Sequence, residues 1–225
     1  TMPARAFLYG IPSKFYKRYG IRRYGFHGTS HRFVAGEAAR LFGRSLNSLK
    51  LVTCHLGNGC SMTAVDRGRA IDTTMGFTPL EGLLMGTRSG DLDPAIVLYL
   101  LKKNFSSNRI NDILNKESGL LGISGISNDM RDLVKIKNVK RAKLAIEMFV
   151  YRIKKYIGAY QAAMGGLDAV VFTAGIGENH PWLIRRIAKD LKDVVSRRAK
   201  FLMIPTNEEL LIAQDTYDII KNNNH

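Results

Sequence analysis

Residues 72–94, DTTMGFTPLEGLLMGTRSGDLDP, set Gly76, Gly82, Gly86 and Gly90 around a single cation, Arg88, and close on Asp91, Asp93 and Pro94. Glycines so closely spaced let a backbone approach another group or take positive φ. The guanidinium presents a planar fork of donors suited to phosphate or carboxylate oxygens. An ion pair with Asp91 or Asp93 that only pins the loop is the plainer reading. Upstream, His27 lies in residues 22–31 (RRYGFHGTSH), in a turn just ahead of an expected helix. Free N–H groups and the positive end of a helix dipole favour an anion there, so the imidazole is a candidate phosphate contact, or it satisfies a local carbonyl. Residues 55–61 (HLGNGCS) follow an apolar run, and their Gly-x-Gly turn exposes N–H groups that can cradle phosphate. Residues 173–181 (TAGIGENHP) join a buried run to a helix start through glycines, with the wrong spacing for a dinucleotide fingerprint. That layout suits adenine, ribose or phosphate near Gly175–Asn179, and a tight turn without a ligand is the alternative. Asp129 can accept from a ribose hydroxyl and Arg131 can lie over a purine face, although local capping explains the NDMRD run nearly as well.

These residues need elements to position them. Ser30 is the expected N-cap of a helix whose apolar face is Phe33, Val34, Ala38 and Leu41 and which Gly43 ends. His31, in its first turn, is expected to be structural. Residues 49–55 read as a strand, and 62–65 and 69–72 as a hairpin across the turn 66–68. Asp93 and Pro94 open a helix expected to bury Ile96, Val97, Leu100 and Leu101, and residues 109–116 form a second. Over 140–164, Leu144, Ala145, Met148, Phe149, Ile153, Tyr156, Ile157, Tyr160 and Met164 recur at helical spacing, which marks a core stripe. Gly165 and Gly166 break that helix, 167–172 is a buried strand, and Asn179 is expected to cap the next helix. After a short strand at 201–204, Thr206 and Glu209 form a capping box. Glu208 is left as a free carboxylate suited to Mg²⁺.

The chain has 225 residues and 45% hydrophobic content, enough for one large or two small cores. Lys plus Arg minus Asp plus Glu is 34 − 19 = +15, which favours anionic partners such as nucleotides or acidic metabolites. The cations are scattered and lack aromatic interleaving, so nucleic acid is not expected as a partner. Cys54 and Cys60 have no metal spacing and are expected to be reduced thiols in a cytoplasmic protein. No stretch approaches the ~20 apolar residues of a membrane span, so no membrane partner is expected. Thr1-Met2-Pro3 reads as the middle of something longer.

Taken together and in this order, residues 22–31, 55–61, 72–94, FTAGIGEN (172–179) and IPTNEEL (204–210) resemble the acetokinase family from end to end of the chain. The resemblance implies an α/β fold of the actin-like/sugar-kinase/Hsp70 (ASKHA) type, a mixed β-sheet with flanking helices and a βββαβαβα core. It implies reversible transfer of the ATP γ-phosphoryl to acetate, giving acetyl phosphate and ADP, with Mg²⁺ or Mn²⁺. Propionate or butyrate as acceptor is the neighbouring alternative. By position, His27 and Arg88 resemble the transition-state stabilisers. His55, Leu56, Gly57, Asn58 and Gly59 resemble the phosphate loop, Asp129, Met130 and Arg131 the adenosine contact, and Gly175, Ile176, Gly177, Glu178 and Asn179 the second nucleotide loop. Glu208 resembles the metal-binding glutamate. The family's catalytic aspartate and acetate-contacting arginine lie upstream of the residues matched here. Residues 1–225 are therefore expected to be a C-terminal, nucleotide-binding and homodimer-forming domain, inactive alone. A non-enzymatic nucleotide-binding or dimerisation module is the reading from a different class.

Overall fold

The computed structural model describes residues 2–223; Thr1 lies outside them. Two short helices, α1 (Ala4–Phe7) and α2 (Lys14–Tyr19), lead into α3 (Gly28–Phe42). Strands β1 (Lys50–Leu56), β2 (Cys60–Asp66) and β3 (Arg69–Thr73) follow. After the glycine-rich segment come α4 (Pro94–Lys102), α5 (Ser107–Lys116), α6 (Gly119–Ser124), α7 (Met130–Lys135) and α8 (Lys140–Met164). The chain continues through β4 (Ala169–Thr173), α9 (Ala174–Asn179), α10 (Pro181–Asp190), β5 (Lys200–Met203) and α11 (Glu208–Asn223). The five strands lie in the order β3-β2-β1-β4-β5. β1, β2 and β3 are antiparallel neighbours, whereas β1, β4 and β5 run parallel. This is a mixed sheet with a βββαβαβα element order. Arg67 and Gly68, both at positive φ (51° and 80°), make the two-residue β2–β3 turn, the twist that a tight hairpin favours.

Alternation along the strands divides the core between two faces. Val52, Cys54 and Leu56 of β1, with Val170 and Phe172 of β4, pack with Phe149, Ile153 and Ile157 of α8. Leu49, Leu51, Val65 and Val171 pack on the other face with Val34, Ala35 and Ala38 of α3, and α11 lies against α3. Phe149 is fully buried, so truncating it to Ala should cost about 3–5 kcal/mol.

Several expectations are corrected. Leu41 and Leu144 are exposed, at 61% and 48%, because each falls at the edge of its helix's apolar stripe. Asp93 does cap α4, accepting from the Ala95 N–H, yet α4 buries nothing: Ile96 and Leu101 are exposed and Val97 and Leu100 only half-buried. Ser30 lies inside the first turn of α3, and His27 occupies the N-cap position. Residues 174–179 are themselves helical, so Asn179 ends α9; its Nδ2 donates to the Gly175 carbonyl. Asn207 caps α11 by accepting from the Leu210 N–H, and no Thr206–Glu209 capping box forms. Thr206 Oγ1 is buried without a partner.

Candidate active site

The site lies at the carboxyl ends of the parallel strands β1 and β4, where open α/β sheets bind ligands. Two-residue alternation points Thr53 and His55 of β1, and Ser61 and Thr63 of β2, to the α3 face, in line with Leu51 and Val65. That face is thus apolar at one end of the strands and polar at the other. The N-terminal turn of α3 sits over the polar end and brings His27, Ser30 and His31, spaced i, i+3 and i+4, onto it. His31 Nδ1 bonds Thr53 Oγ1 at 2.8 Å, and His31 Nε2 bonds Ser61 Oγ at 2.7 Å. His27 Nδ1 reaches the same Ser61 Oγ at 2.9 Å, and His55 Nδ1 bonds Ser30 Oγ at 2.8 Å. The rings of His27 and His55 stack with centroids 4.1 Å apart and planes 18° apart. His27 itself is a non-glycine residue at φ 60°, a strained conformation of the kind that clusters at functional sites.

All three imidazoles are held neutral. Burial, and then the charge of Arg88, pull His27 below the usual imidazole range. Burial followed by the neighbouring rings pushes His31 down to about 3, and burial followed by His27 pushes His55 down to about 4.

Among the described residues Arg88 pairs with no carboxylate, so the plainer reading of its loop, an ion pair with Asp91 or Asp93, fails. Asp91 accepts from the Gly82 N–H and from Tyr156 Oη, and Asp93 caps α4. Among the described residues the guanidinium Nη1 donates to the Pro79 carbonyl, at 3.3 Å, and to Met85 Sδ, at 3.9 Å. A Cβ added at Gly59 would sit 3.3 Å from Arg88 Nη1 and 3.8 Å from His27 Nε2. Arg88 and His27 therefore flank the β1–β2 turn. The loop is strapped from below by Arg23, whose Nη1 donates to the Thr73 and Thr74 carbonyls and whose Nη2 pairs with Glu81.

On the other side of that turn a cleft of about 380 Å³ is lined by Gly57, Asn58, Asn128, Gly175, Ile176 and Asn179, with Asp129, Met130, Arg131 and His180 closing it. Three loops are tied together here. The Gly86 N–H donates to the Asn58 carbonyl at 3.0 Å, and Asn128 Nδ2 donates to Asn58 Oδ1 at 3.1 Å. A Cβ at Gly86 would overlap Asn58 Oδ1, so glycine there permits the contact. Asp129 does cap α7, through the Arg131 N–H, and also pairs with the Arg131 guanidinium. Those hydrogen bonds pull its carboxyl down to about 2. Local capping and a place in the cleft thus hold together.

The remaining expected site residues lie elsewhere. Leu56 is fully buried in the core. Gly177 is buried against Phe172. Glu178 turns inward: its Oε1 accepts from Thr173 Oγ1 and from the Ala174 and Thr206 N–H groups, which brackets β4 to the start of α11. Glu208, in the first turn of α11, is half-buried and has no hydrogen-bond or ion-pair partner among the described residues. Among the described residues no three His, Cys, Asp or Glu side chains group to hold a metal. Sequence reasoning missed Asn128, His180, Ser30, Thr53 and Ser61. The last three were signalled by polar residues interrupting apolar alternation at 51/53/55 and 61/63/65, and by the helical stripe 27/30/31/34. His180 is 7% exposed. Trp182 Nε1 donates to its Nδ1 at 3.3 Å, leaving Nε2 to carry the proton of the neutral ring.

Known proteins resemble this chain along most of its length. A family model described as the acetokinase family matches residues 1–195. The chain is 52% identical over 245 residues to the acetate kinase of Carboxydothermus hydrogenoformans, covering 99% of this chain and 61% of that protein. It is 51% identical to that of Halothermothrix orenii, with 98% and 61% covered. Among solved structures, acetate kinase from Porphyromonas gingivalis superposes with TM-score 0.94 at 40% identity, over 98% of this chain and 61% of that one. A propionate kinase from Francisella tularensis superposes with TM-score 0.89 at 42% identity, over 95% and 60%. The chain spans about 61% of the length of the curated relatives it matches.

Proposed function

Because this chain belongs to the acetokinase family, with the mixed-sheet ASKHA-type fold, we propose that it carries the nucleotide site of a kinase that moves the γ-phosphoryl of ATP to acetate, forming acetyl phosphate. The observation that carries this reading is the uncompensated Arg88 beside neutral His27, on one side of a glycine turn whose other side opens a cleft. The cleft takes the nucleoside: Asp129, Asn179 and His180 offer polar contacts to ribose and base, and the Arg131 guanidinium offers a face for stacking. The backbone around Gly57–Gly59 holds the phosphate chain. His27 and Arg88 then stand at its terminal group. In phosphoryl transfer the protein mostly positions the reactants and neutralises developing charge. An always-charged guanidinium with no counter-ion among the described residues is free to do so at little reorganisation cost.

Mg²⁺ usually keeps several waters and takes one or two carboxylates together with substrate phosphates. The partnerless Glu208 fits such a single-carboxylate site, and it is the residue that would hold the ion. When bound, the metal would neutralise charge on the β- and γ-phosphate oxygens. Propionate is the second acceptor reading, favoured by the 42%-identical propionate kinase. We also propose a homodimer formed through α4, supported by the exposed Leu92, Ile96, Leu98, Tyr99 and Leu101; size-exclusion with light scattering tests it against a Leu98→Asp variant. A cytoplasmic location belongs to the same reading, supported by the free buried thiols Cys54 and Cys60.

The transfer reaction is tested in a chimera that joins this chain to the remaining length of the Carboxydothermus relative. Acetate and ATP should yield acetyl phosphate, trapped as the hydroxamate. A chimera that folds and binds ADP but gives no hydroxamate with acetate or propionate would overturn the proposed reaction.

A further inference from the structure

Ser61 Oγ lies 2.7 Å from His31 Nε2 and 2.9 Å from His27 Nδ1. A hydroxyl has one proton, so it can donate to only one of these ring nitrogens and must accept from the other. Two proton orders are therefore possible along the buried chain Thr53–His31–Ser61–His27, and they leave His27 with opposite tautomers. Thr53 decides between them. Its hydroxyl lies 2.8 Å from His31 Nδ1 and 3.4 Å from its alternative acceptor, the Thr63 carbonyl. The 2.8 Å contact is made in either order, with His31 Nδ1 donating in the reverse one, but the reverse order leaves the Thr53 proton only the Thr63 carbonyl, longer than the usual O–H···O distance. With Thr53 donating to His31 Nδ1, His31 donates from Nε2 to Ser61, and Ser61 donates to His27 Nδ1.

We infer that the Thr53–His31–Ser61 chain fixes neutral His27 with its proton on Nε2, making that nitrogen a hydrogen-bond donor beside Arg88. It follows that Thr53, His31 and Ser61 are positioning residues for the phosphoryl-transfer site, and this role rests on the functional reading above. The environment supports it. Thr53 and Ser61 are fully buried and His31 is 4% exposed, so no water competes for the relay's donors and acceptors. The His55 ring stacked on His27 blocks rotation of the imidazole, and is itself held by Ser30. Nε2 is the His27 nitrogen nearest the Gly59 turn, where Arg88 Nη1 also lies. A neutral donor there adds a hydrogen bond to an anionic ligand without repelling the guanidinium, as an imidazolium would. The reverse order would present a bare lone pair to the same anion.

The test is the tautomer itself, read from two-bond ¹H–¹⁵N correlations on the ¹⁵N-histidine-labelled chain, with His27 assigned by its loss in His27→Asn. The wild-type ring should carry its proton on Nε2. Ser61→Ala should let the Nδ1–H form appear, Thr53→Val should do so more weakly, and Thr53→Ser should restore the wild-type pattern. Ser61→Ala should also weaken a non-hydrolysable ATP analogue relative to ADP by roughly 2–10-fold, the range of one neutral hydrogen bond. A wild-type His27 protonated on Nδ1, or a tautomer unmoved in folded Ser61→Ala, overturns the inference. The wild-type measurement needs only the assignment variant His27→Asn to fold, and none of the relay variants. Nucleotide failing to bind the wild type would instead sink the functional reading and leave the tautomer result standing.

Discussion

Acidification should unfold this protein through its buried histidines. His55 and His31 sit at about 4 and about 3 in the folded chain, against an ordinary value of 6.5. Below 6.5 the unfolded chain binds protons that the folded chain refuses, so stability falls as pH falls, until each ring titrates in the native state as well. One pKa unit corresponds to about 1.4 kcal/mol. Lowering the pH from neutrality to about 4 therefore removes about 3 kcal/mol per ring, roughly 6 kcal/mol for the pair. His27, depressed by burial and by Arg88, acts in the same direction. Asp72, raised by burial, opposes them at the acid end. A domain's whole stability is about 5–15 kcal/mol, so the expected acid transition falls near pH 4–5. Urea titrations at half-unit pH steps should give a stability slope of about 2.7 kcal/mol per pH unit between 6 and 4.5, the mark of two protons taken up on unfolding. His55→Asn should reduce that slope by about 1.4 kcal/mol per pH unit. A flat profile over that window, or a slope untouched by His55→Asn, would refute the placement of these rings in a desolvated cluster.

The other predictions concern the ligand. Among the described residues Arg88→Ala loses side-chain hydrogen bonds only to the Pro79 carbonyl and Met85 Sδ, so stability should change by about 1 kcal/mol. The affinity for a non-hydrolysable ATP analogue should fall about 10–100-fold relative to ADP, the range of a charge-assisted hydrogen bond; calorimetry with both ligands checks this. Gly86→Ala places a Cβ against Asn58 Oδ1 and should break the Asn128–Asn58 bond, weakening ADP by about 10-fold while the far-ultraviolet spectrum is unchanged. Glu208→Gln should leave metal-free ADP binding intact and abolish its enhancement by Mg²⁺, seen by repeating the titration with and without the ion. His180→Ala should weaken ADP by about 2–10-fold and leave the ATP-to-ADP affinity ratio unchanged.

Local chemistry made much of the framework legible. The stripe along residues 140–164 is the observed α8, the Arg67–Gly68 hairpin lies where the glycine put it, and Asp93–Pro94 opens α4. What failed required tertiary information. The apolar run 96–101 has helical spacing but touches α5 only slightly and buries none of its residues, so periodicity alone could not say that it stays exposed. The GIGEN run read as a loop because of its glycines, yet neither Gly175 nor Gly177 takes positive φ; the turn's strain falls on Ala174, at φ 64°. Glu178 looked like a ligand contact because an acid beside glycines resembles one, and its place against Thr173, Ala174 and Thr206 depends on a segment 28 residues away. Arg88 stands in the loop with Nη1 donating to the Pro79 carbonyl and near Met85 Sδ. Its freedom from Asp91 became visible only once Tyr156, 65 residues distant, was seen to occupy that carboxylate.

The central claim is that separate glycine turns converge on one nucleotide, and amide chemical-shift mapping of the labelled chain during a titration with Mg²⁺–ADP tests it most directly. Saturable shifts should appear together at Gly57–Gly59, Asn128–Arg131 and Gly175–His180, with the side-chain signals of His27 and Arg88 moving further when the triphosphate analogue replaces ADP. Shifts that do not saturate, or that gather around residues 188–201 on the far side of the sheet's β5 edge, would contradict it.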